Sequence, residues 1–413
     1  MVALDGEGRA LVQPRRGKKA SRLWWEVHQW AGLKFSILLS FILLTGTLAT
    51  LSHELDWLMR PAMRVNPATV AAEANWPAIA ATAVAQAGEG RVLSLEGPTD
   101  PWFAAAAIVE SPEGGLSFVY LHPTTGEFQG RGHWVGAQRI LRNMHRHLMM
   151  PIPIGVPIVT SLSLLLAVSL VTAFVVYKKW WRGFLRPVRF NDLRTATGDF
   201  HRLAGVWSLW FVALMIVTGL WYMAEELAFS APSHPSAKIA PSELSAPAQA
   251  AALGRSLQAA RAAAPDLRIR RIMFPTEKSG AFVFQGQDAA MLVRDRANAV
   301  WTGVDTGAVE LVADGRALTL HQRISEAADP LHFGTFGGLA TKLIWFVFGL
   351  ALTGLSVSGV AIYALRLLRA ERRPKGWGSV LAASWRGMGL WRWPALLLVL
   401  AGFLLIPSVF AQG

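Results

Sequence analysis

Apolar residues run in blocks along this chain instead of alternating with polar ones. Four blocks are long, near residues 35–51, 154–177, 203–224 and 343–365, and a shorter one lies near 395–410. A membrane-crossing helix needs about 20 mostly apolar residues, each adding about 1.5 Å across a hydrocarbon core about 30 Å thick. None of the blocks has Asp, Glu, Lys or Arg at its centre. Trp24, Trp25, Trp30, Tyr177, Trp180, Trp181, Trp221, Tyr222 and Trp393 mark the ends, where amphipathic rings sit at a membrane interface. The pattern predicts a mainly α membrane protein with a four-helix transmembrane core and a fifth C-terminal span.

Charge orients these spans. Arg15, Arg16, Lys18, Lys19 and Arg22 precede the first, and Lys178, Lys179, Arg182, Arg186, Arg189 and Arg194 join the second to the third. Arg366, Arg369, Arg372, Arg373 and Lys375 follow the fourth. Short basic flanks stay in the cytoplasm, so the N-terminus is expected inside a bacterial inner membrane. The first block lacks a small-residue cleavage site and reads as a retained span. The division expected is a basic N-terminus over 1–22, spans at 23–54, 145–178, 199–226, 332–369 and 393–413, and cytoplasmic loops at 179–198 and 370–392. Two long segments, 55–144 and 227–331, then lie outside. Each ends in strand-like sequence. Phe118-Val119-Tyr120-Leu121 runs into His122-Pro123-Thr124-Thr125-Gly126-Glu127, and Val300-Trp301-Thr302-Gly303-Val304 into Asp305-Thr306-Gly307. Apolar runs entering such turns read as β-hairpins, so two small α+β modules are expected.

Composition narrows the chemistry. The chain has 413 residues, 53% hydrophobic and 16% charged, which is too apolar for an ordinary soluble enzyme. It has no cysteine, which excludes disulfides, Cys-ligated iron–sulfur clusters, thiolate-ligated haem and covalently attached haem. The net charge of +13 flanks the spans, so the expected partner is the lipid bilayer and no nucleic acid. There is no phosphate-binding loop, no dinucleotide fingerprint and no HExxH.

The spans repeat. The first carries His28-Gln29-Trp30-Ala31-Gly32 and then Thr45-Gly46; the third carries His201-Arg202-Leu203-Ala204-Gly205 and then Thr218-Gly219, at the same offset. Both run in the same direction, so the repeat is parallel. Spans two and four are each preceded by a histidine, His145 and His332, and each ends in a tyrosine, Tyr177 and Tyr363, before basic residues. On one continuous helix, Gly32 and Gly46 project on nearly the same face as His28, and Gly205 and Gly219 on that of His201. A porphyrin held by a helical histidine lies against the helix, and glycine one turn along leaves room for it. The topology places His28 and His201 at one membrane edge and His145 and His332 at the other. That arrangement suits two bis-histidine haem sites, with the four histidines as iron ligands and Gly32 and Gly205 lining the group. His147 and His53 compete with His145 for the outer site. A second ring nitrogen on each ligand needs a fixed partner that the sequence does not show.

These residues resemble the PepSY-associated transmembrane family, which includes iron-regulated membrane proteins and ferric-siderophore reductases. The resemblance rests on His28, Gly32, Thr45-Gly46, Glu54-Leu55-Asp56, Met144-His145-Arg146, His201-Arg202, Gly205, Thr218-Gly219, Leu331-His332-Phe333-Gly334 and the Asp305-Thr306-Gly307 turn, over about 22–370. Met144 stands where a leucine is usual. The resemblance implies two haem b groups, periplasmic PepSY-like modules and reduction of an externally held ferric chelate or siderophore; the electron donor, a quinol or a cytoplasmic reductase, is not named by the sequence. Two other expectations compete with this oxidoreductase reading. The modules bind a periplasmic protease or transporter while the helices serve as an anchor, or the chain carries iron complexes across the membrane. The second of these is disfavoured by the lack of polar groups inside the spans.

Overall fold

The computed structural model describes residues 16–371 and 376–410, with side chains from residue 22 onward. Arg15, Arg372, Arg373 and Lys375, together with most of the basic N-terminal segment, lie outside the described residues or side chains.

The apolar blocks form helices. α1 (Arg16–Lys34) and α2 (Ser36–Thr50) meet at Phe35. α3 (Ser52–Met59) and α4 (Trp76–Ala87) lead into strands β1 (Arg91–Glu96), β2 (Ala105–Glu110), β3 (Leu116–Leu121) and β4 (Phe128–His133). Then come α5 (Ala137–His147), α6 (Ile152–Thr160), α7 (Leu162–Val176), α8 (Leu193–Trp207), α9 (Leu209–Leu227) and α10 (Ala246–Ala263). Strands β5 (Arg268–Met273), β6 (Ala281–Gln287), β7 (Asn298–Gly303) and β8 (Val309–Ala313) precede α11 (Leu320–Phe333) and α12 (Gly338–Ala370). The chain ends in α13 (Trp377–Met388), α14 (Arg392–Leu404) and α15 (Ile406–Phe410).

Among the described residues, four segments are long and apolar enough to cross a membrane: Ile152–Val176, Leu209–Leu227, Thr335–Ala370 and Trp377–Phe410. The pair Arg22–Lys34 and Ser36–Thr50, bent by 67°, makes a fifth if the two helices cross together as one broken span. The bend corrects one expectation. The first span is not one continuous helix, and α8 likewise stops at Ser208 before α9 begins. Facial arithmetic carried from His28 to Gly46, or from His201 to Gly219, therefore fails, because each run crosses a break in the helix.

The chain divides into two compact units. Of the described residues, one gathers those within 16–40, 161–216, 351–371 and 376–397, and the other those within 41–160, 217–350 and 398–410. The first is helical, with α1 packed along α7 and against α13. Lys34 Nζ donates to Gly387 O at 2.7 Å there, and Gly387 sits against the Tyr363 ring, leaving no room for a Cβ.

The second unit holds the sheet. Both expected hairpins form: β3 pairs with β4 around Gly126 and β7 with β8 around Gly307, each glycine at φ +72°. The left-handed conformation suits glycine, which has no Cβ to clash. The two strand-rich segments do not form separate modules, however. They join in one eight-stranded antiparallel sheet of order β4-β3-β2-β1-β5-β6-β7-β8. The junction pairs Ser94 with Met273, Leu95 with Ile272 and Glu96 with Arg271, whose side chains form an ion pair. Joining β1 to β5 removes two free sheet edges that separate modules would expose. The core beneath the sheet comes from both segments: Trp76, Ile79, Ala83, Leu253 and Leu257 from α4 and α10 pack on Leu95, Val119, Ile272, Phe282, Phe284 and Val300.

Two short helices of this unit end just before apolar spans begin. α5 closes at Leu148 and Met149, both left-handed at φ 53° and 59°. Non-glycine residues rarely adopt this conformation, and burial of both side chains holds it here. α11 closes at Gly334, φ +68°, and the chain turns through Gly338, φ +63°, into α12. Asp56 anchors the start of α5: its Oδ1 accepts from Ala137 N at 2.8 Å and its Oδ2 from Gln138 N at 3.0 Å. These are first-turn amides with no partner inside the helix. Asp56→Ala is expected to lower the stability of this unit by about 1–2 kcal/mol, read by chemical denaturation of the detergent-purified protein. A loss well under that range would mean that water replaces the cap.

Candidate haem-binding histidine pairs

The histidines come together in pairs. In the helical unit, His28 on α1 faces His201 on α8, with ring centroids 6.5 Å apart and ring planes at 85°. In the sheet-bearing unit, His145 on α5 faces His332 on α11 at 6.1 Å and 33°. A metal–imidazole bond is about 2 Å, so an iron held between two imidazoles separates their ring centres by about 6 Å. Both pairs match that spacing.

Each ring is fixed through its other nitrogen. His28 Nδ1 lies 3.1 Å from Ser169 O and 2.9 Å from Thr172 Oγ1. A carbonyl only accepts, so His28 Nδ1 carries the proton and Nε2 keeps its lone pair. His145 Nδ1 donates in the same way to Ile42 O at 2.9 Å. His201 Nδ1 pairs with Ser358 Oγ at 2.9 Å, and the Ser358 hydroxyl donates to Leu355 O. His332 Nδ1 pairs with Thr218 Oγ1 at 2.8 Å. These assignments follow from the hydrogen-bond partners. In each ring Nδ1 is engaged, which orients the imidazole and leaves Nε2 for a metal.

Glycines make the close approaches. A Cβ on Gly46 would lie 2.5 Å from His145 Cε1 and 2.7 Å from its Nδ1. Gly46 thus makes room for the opposing imidazole; it does not extend the face of His28. Gly359 lies beside His201, where an added Cβ would meet Cε1 at an ordinary 3.4 Å. Gly32 has open space beside it, with nothing within 4 Å of an added Cβ. Gly205 faces Leu355 at an ordinary 3.6 Å. Of the paired Thr-Gly motifs, Gly46 accommodates the His145 ring and Thr218 hydrogen-bonds His332.

The donor set suits porphyrin. Among the described residues no group of three or more His, Cys, Asp or Glu side chains could hold a metal ion. Each pair offers two opposed imidazoles, so a metal held there needs equatorial donors from its own ligand, which porphyrin supplies. Gly32, one turn from His28, leaves the helix surface beside that ring unobstructed.

Among the described ring contacts, the other histidines pair with no second histidine. His147 Nδ1 pairs with Met150 O at 2.6 Å in the turn after α5. His53 stacks on Phe103 at 4.6 Å. His122 hydrogen-bonds Thr69 and the amides of Thr124 and Thr125 in its turn. His321 stacks on Phe229 at 4.5 Å.

Sequence reasoning missed the surroundings of His332. The Tyr222 ring lies 5.3 Å from it, and the Tyr222 hydroxyl donates to Asp329 Oδ1 at 2.7 Å. Arg294 binds Asp329 and Glu326, and Glu326, fully buried, also accepts from Arg296 and His234. Burial pushes the Glu326 carboxyl up, but hydrogen bonds and charge from Arg294, with the charge of Arg296, outweigh it and hold it at about 2. The C-terminal helices also reach this unit, where Gly402 packs against Met144 Sδ and Leu148 O.

The comparison with curated proteins gives no match. The profile of the PepSY-associated TM region matches residues 25–366, which include all four paired histidines and stop short of α13 to α15. Since that match takes in most of the 413 residues, the chain belongs to the PepSY-associated transmembrane family.

Proposed function

We propose that this protein is a membrane electron carrier that holds b-type haem at His28/His201 and at His145/His332 and passes single electrons from a quinol or a cytoplasmic reductase, which is oxidised, to a ferric chelate at the sheet-bearing unit, whose iron is reduced to Fe(II). The observation that carries the reading is the recurrence of one arrangement in both units: opposed imidazoles at 6.5 and 6.1 Å, each with Nδ1 engaged. Bound haem would supply one-electron exchange between ferric and ferrous iron. The protein's own groups do the rest. Ser169 O, Ile42 O, Ser358 and Thr218 hold the imidazoles in register. A lone pair kept on Nε2 makes each ring a ligand and not an acid–base group. Reduction of the substrate iron weakens its hold on hard oxygen donors and frees the metal. The inner-membrane placement, with the sheet in the periplasm as two fused PepSY-like modules of a parallel repeat, belongs to the same reading.

A reduced-minus-oxidised spectrum of the purified chain, expressed with ample haem, tests it. A low-spin b-type signal is expected, and its absence would end the reading. Ser358→Ala removes the side-chain partner of His201 Nδ1 and is expected to weaken haem retention at that pair by roughly tenfold. Unchanged retention in haem-transfer assays would show that Ser358 does not orient the ligand.

A further inference from the structure

The helix that carries His145 has a second feature. Arg139, Arg142 and Arg146 follow at intervals of three and four, within an arc of about 60° on α5, and the His145 direction lies about 60° from that of Arg142. Among the described residues none of the three pairs with a carboxylate. Elsewhere in this unit seven arginines, Arg60, Arg91, Arg261, Arg271, Arg294, Arg296 and Arg316, do, and Arg64, Arg131, Arg255 and Arg323 donate to backbone carbonyls instead. The stripe rests on aromatic rings. The Arg142 guanidinium lies 5.2 Å from the centre of the Phe333 ring, beside His332, and that of Arg139 lies 3.7 Å from the Trp134 ring. Trp134 in turn packs on Phe118 at 5.1 Å. Burial and the neighbouring Arg142 cation push the Arg139 guanidinium below its ordinary value, a crowding that an anion would relieve.

We infer that this arginine stripe is the docking surface for the ferric chelate, and that the chelate is anionic and carries aryl rings, as a catecholate complex does. The inference rests on the reductase reading for the location of the substrate. Guanidinium groups match the oxygens of an anionic chelate in charge and in hydrogen-bond geometry. The rims of the Trp134, Phe118 and Phe333 rings, beside the faces that Arg139, Arg142 and their mutual packing cover, offer edge contact to aryl rings. Arg142 touches the residue next to His332 and lies one turn before His145, so a chelate held there sits beside the second histidine pair. A neutral trihydroxamate complex has no charge for this surface to recognise.

Gallium(III) complexes test the inference without redox chemistry, so the result does not depend on haem function. The full-length protein in detergent is titrated by calorimetry with gallium tris-catecholate and with a neutral gallium trihydroxamate. The catecholate is expected to bind, to weaken with added salt, and to lose about tenfold or more in affinity in Arg142→Gln and in Arg139→Gln/Arg142→Gln. Arg142→Lys, which keeps the charge, should retain most of the affinity, and an unchanged haem spectrum in each variant shows that the fold is intact. Equal binding of the two complexes, or full catecholate affinity in the double variant, would overturn the inference. So would unchanged catecholate binding with reduced capture by anionic lipid vesicles, which would assign the stripe to lipid headgroups. A missing haem spectrum in the parent protein would instead overturn the reductase reading and leave the binding result standing.

Discussion

His332→Ala is expected to remove about half of the bound haem and leave the rest spectroscopically unchanged. The two histidine pairs fall in different compact units, and each has its own hydrogen-bond partners. Removing His332 takes one of two ligands from the second pair and touches nothing at His28 or His201. Gly46→Val should give the same result without removing any ligand. Its Cβ would occupy the space of the His145 ring, at 2.5 Å from Cε1, and the ring cannot retreat without losing its bond to Ile42 O. Haem per chain, measured by haemochrome assay, checks both variants. Full haem content in His332→Ala would remove that histidine from the ligand set, and loss of all haem would mean that the two pairs do not assemble independently.

Glu326→Ala should be the most damaging change outside the histidine pairs, lowering stability by about 2–3 kcal/mol. The carboxylate is fully buried and accepts from Arg294 N, Nε and Nη2, from Arg296 Nε and Nη2, and from His234 Nε2, all between 2.8 and 3.0 Å. Its removal leaves these donors facing one another's charge. The arginine side chains are 31% and 49% exposed and regain some water, which holds the loss below that of a fully buried pair. The same group sets a pH dependence. Its carboxyl sits at about 2 in the fold, against an ordinary 4.5. A depressed carboxyl stabilises the fold above its unfolded value, and the gain disappears as pH falls from about 4.5 towards 2. Denaturation midpoints measured across that range should fall steeply in the parent protein and more shallowly in Glu326→Ala. Parallel curves would place the acid sensitivity elsewhere.

The sequence shows the four paired histidines more readily than it shows the path of the helices. His28 and His201 stand out because the same residues recur beside them at equal spacing, and His145 and His332 because each precedes an apolar block. At Phe35 and Ser208 a polar-rich helix gives way to an apolar one, a change the sequence shows, but nothing in it shows that the helix breaks there, and the break is what turns Gly46 from His28 to His145. The hairpins were legible because a turn is a local event written in Gly126 and Gly307. The pairing of β1 with β5 was not, because it joins residues some 180 positions apart and nothing in Arg91–Glu96 or Arg268–Met273 marks a partner. Thr172 and Ser358, single hydroxyls in apolar helices, read equally well as packing residues. Only the structure shows them against imidazole nitrogens. Glu326, on an amphipathic helix, looks like any solvated acid until Arg294 and Arg296 are placed around it.

The ring planes give the most direct test of haem held between these imidazoles. Near-perpendicular axial rings and near-parallel ones give ferric haem different magnetic anisotropy. Electron paramagnetic resonance of the oxidised full-length protein should therefore show two low-spin ferric species in equal amount. One, from the pair at 85°, should be strongly anisotropic, and the other, from the pair at 33°, rhombic and lost in His332→Ala. A haem-replete preparation with no low-spin ferric signal, or with high-spin haem alone, would contradict the account.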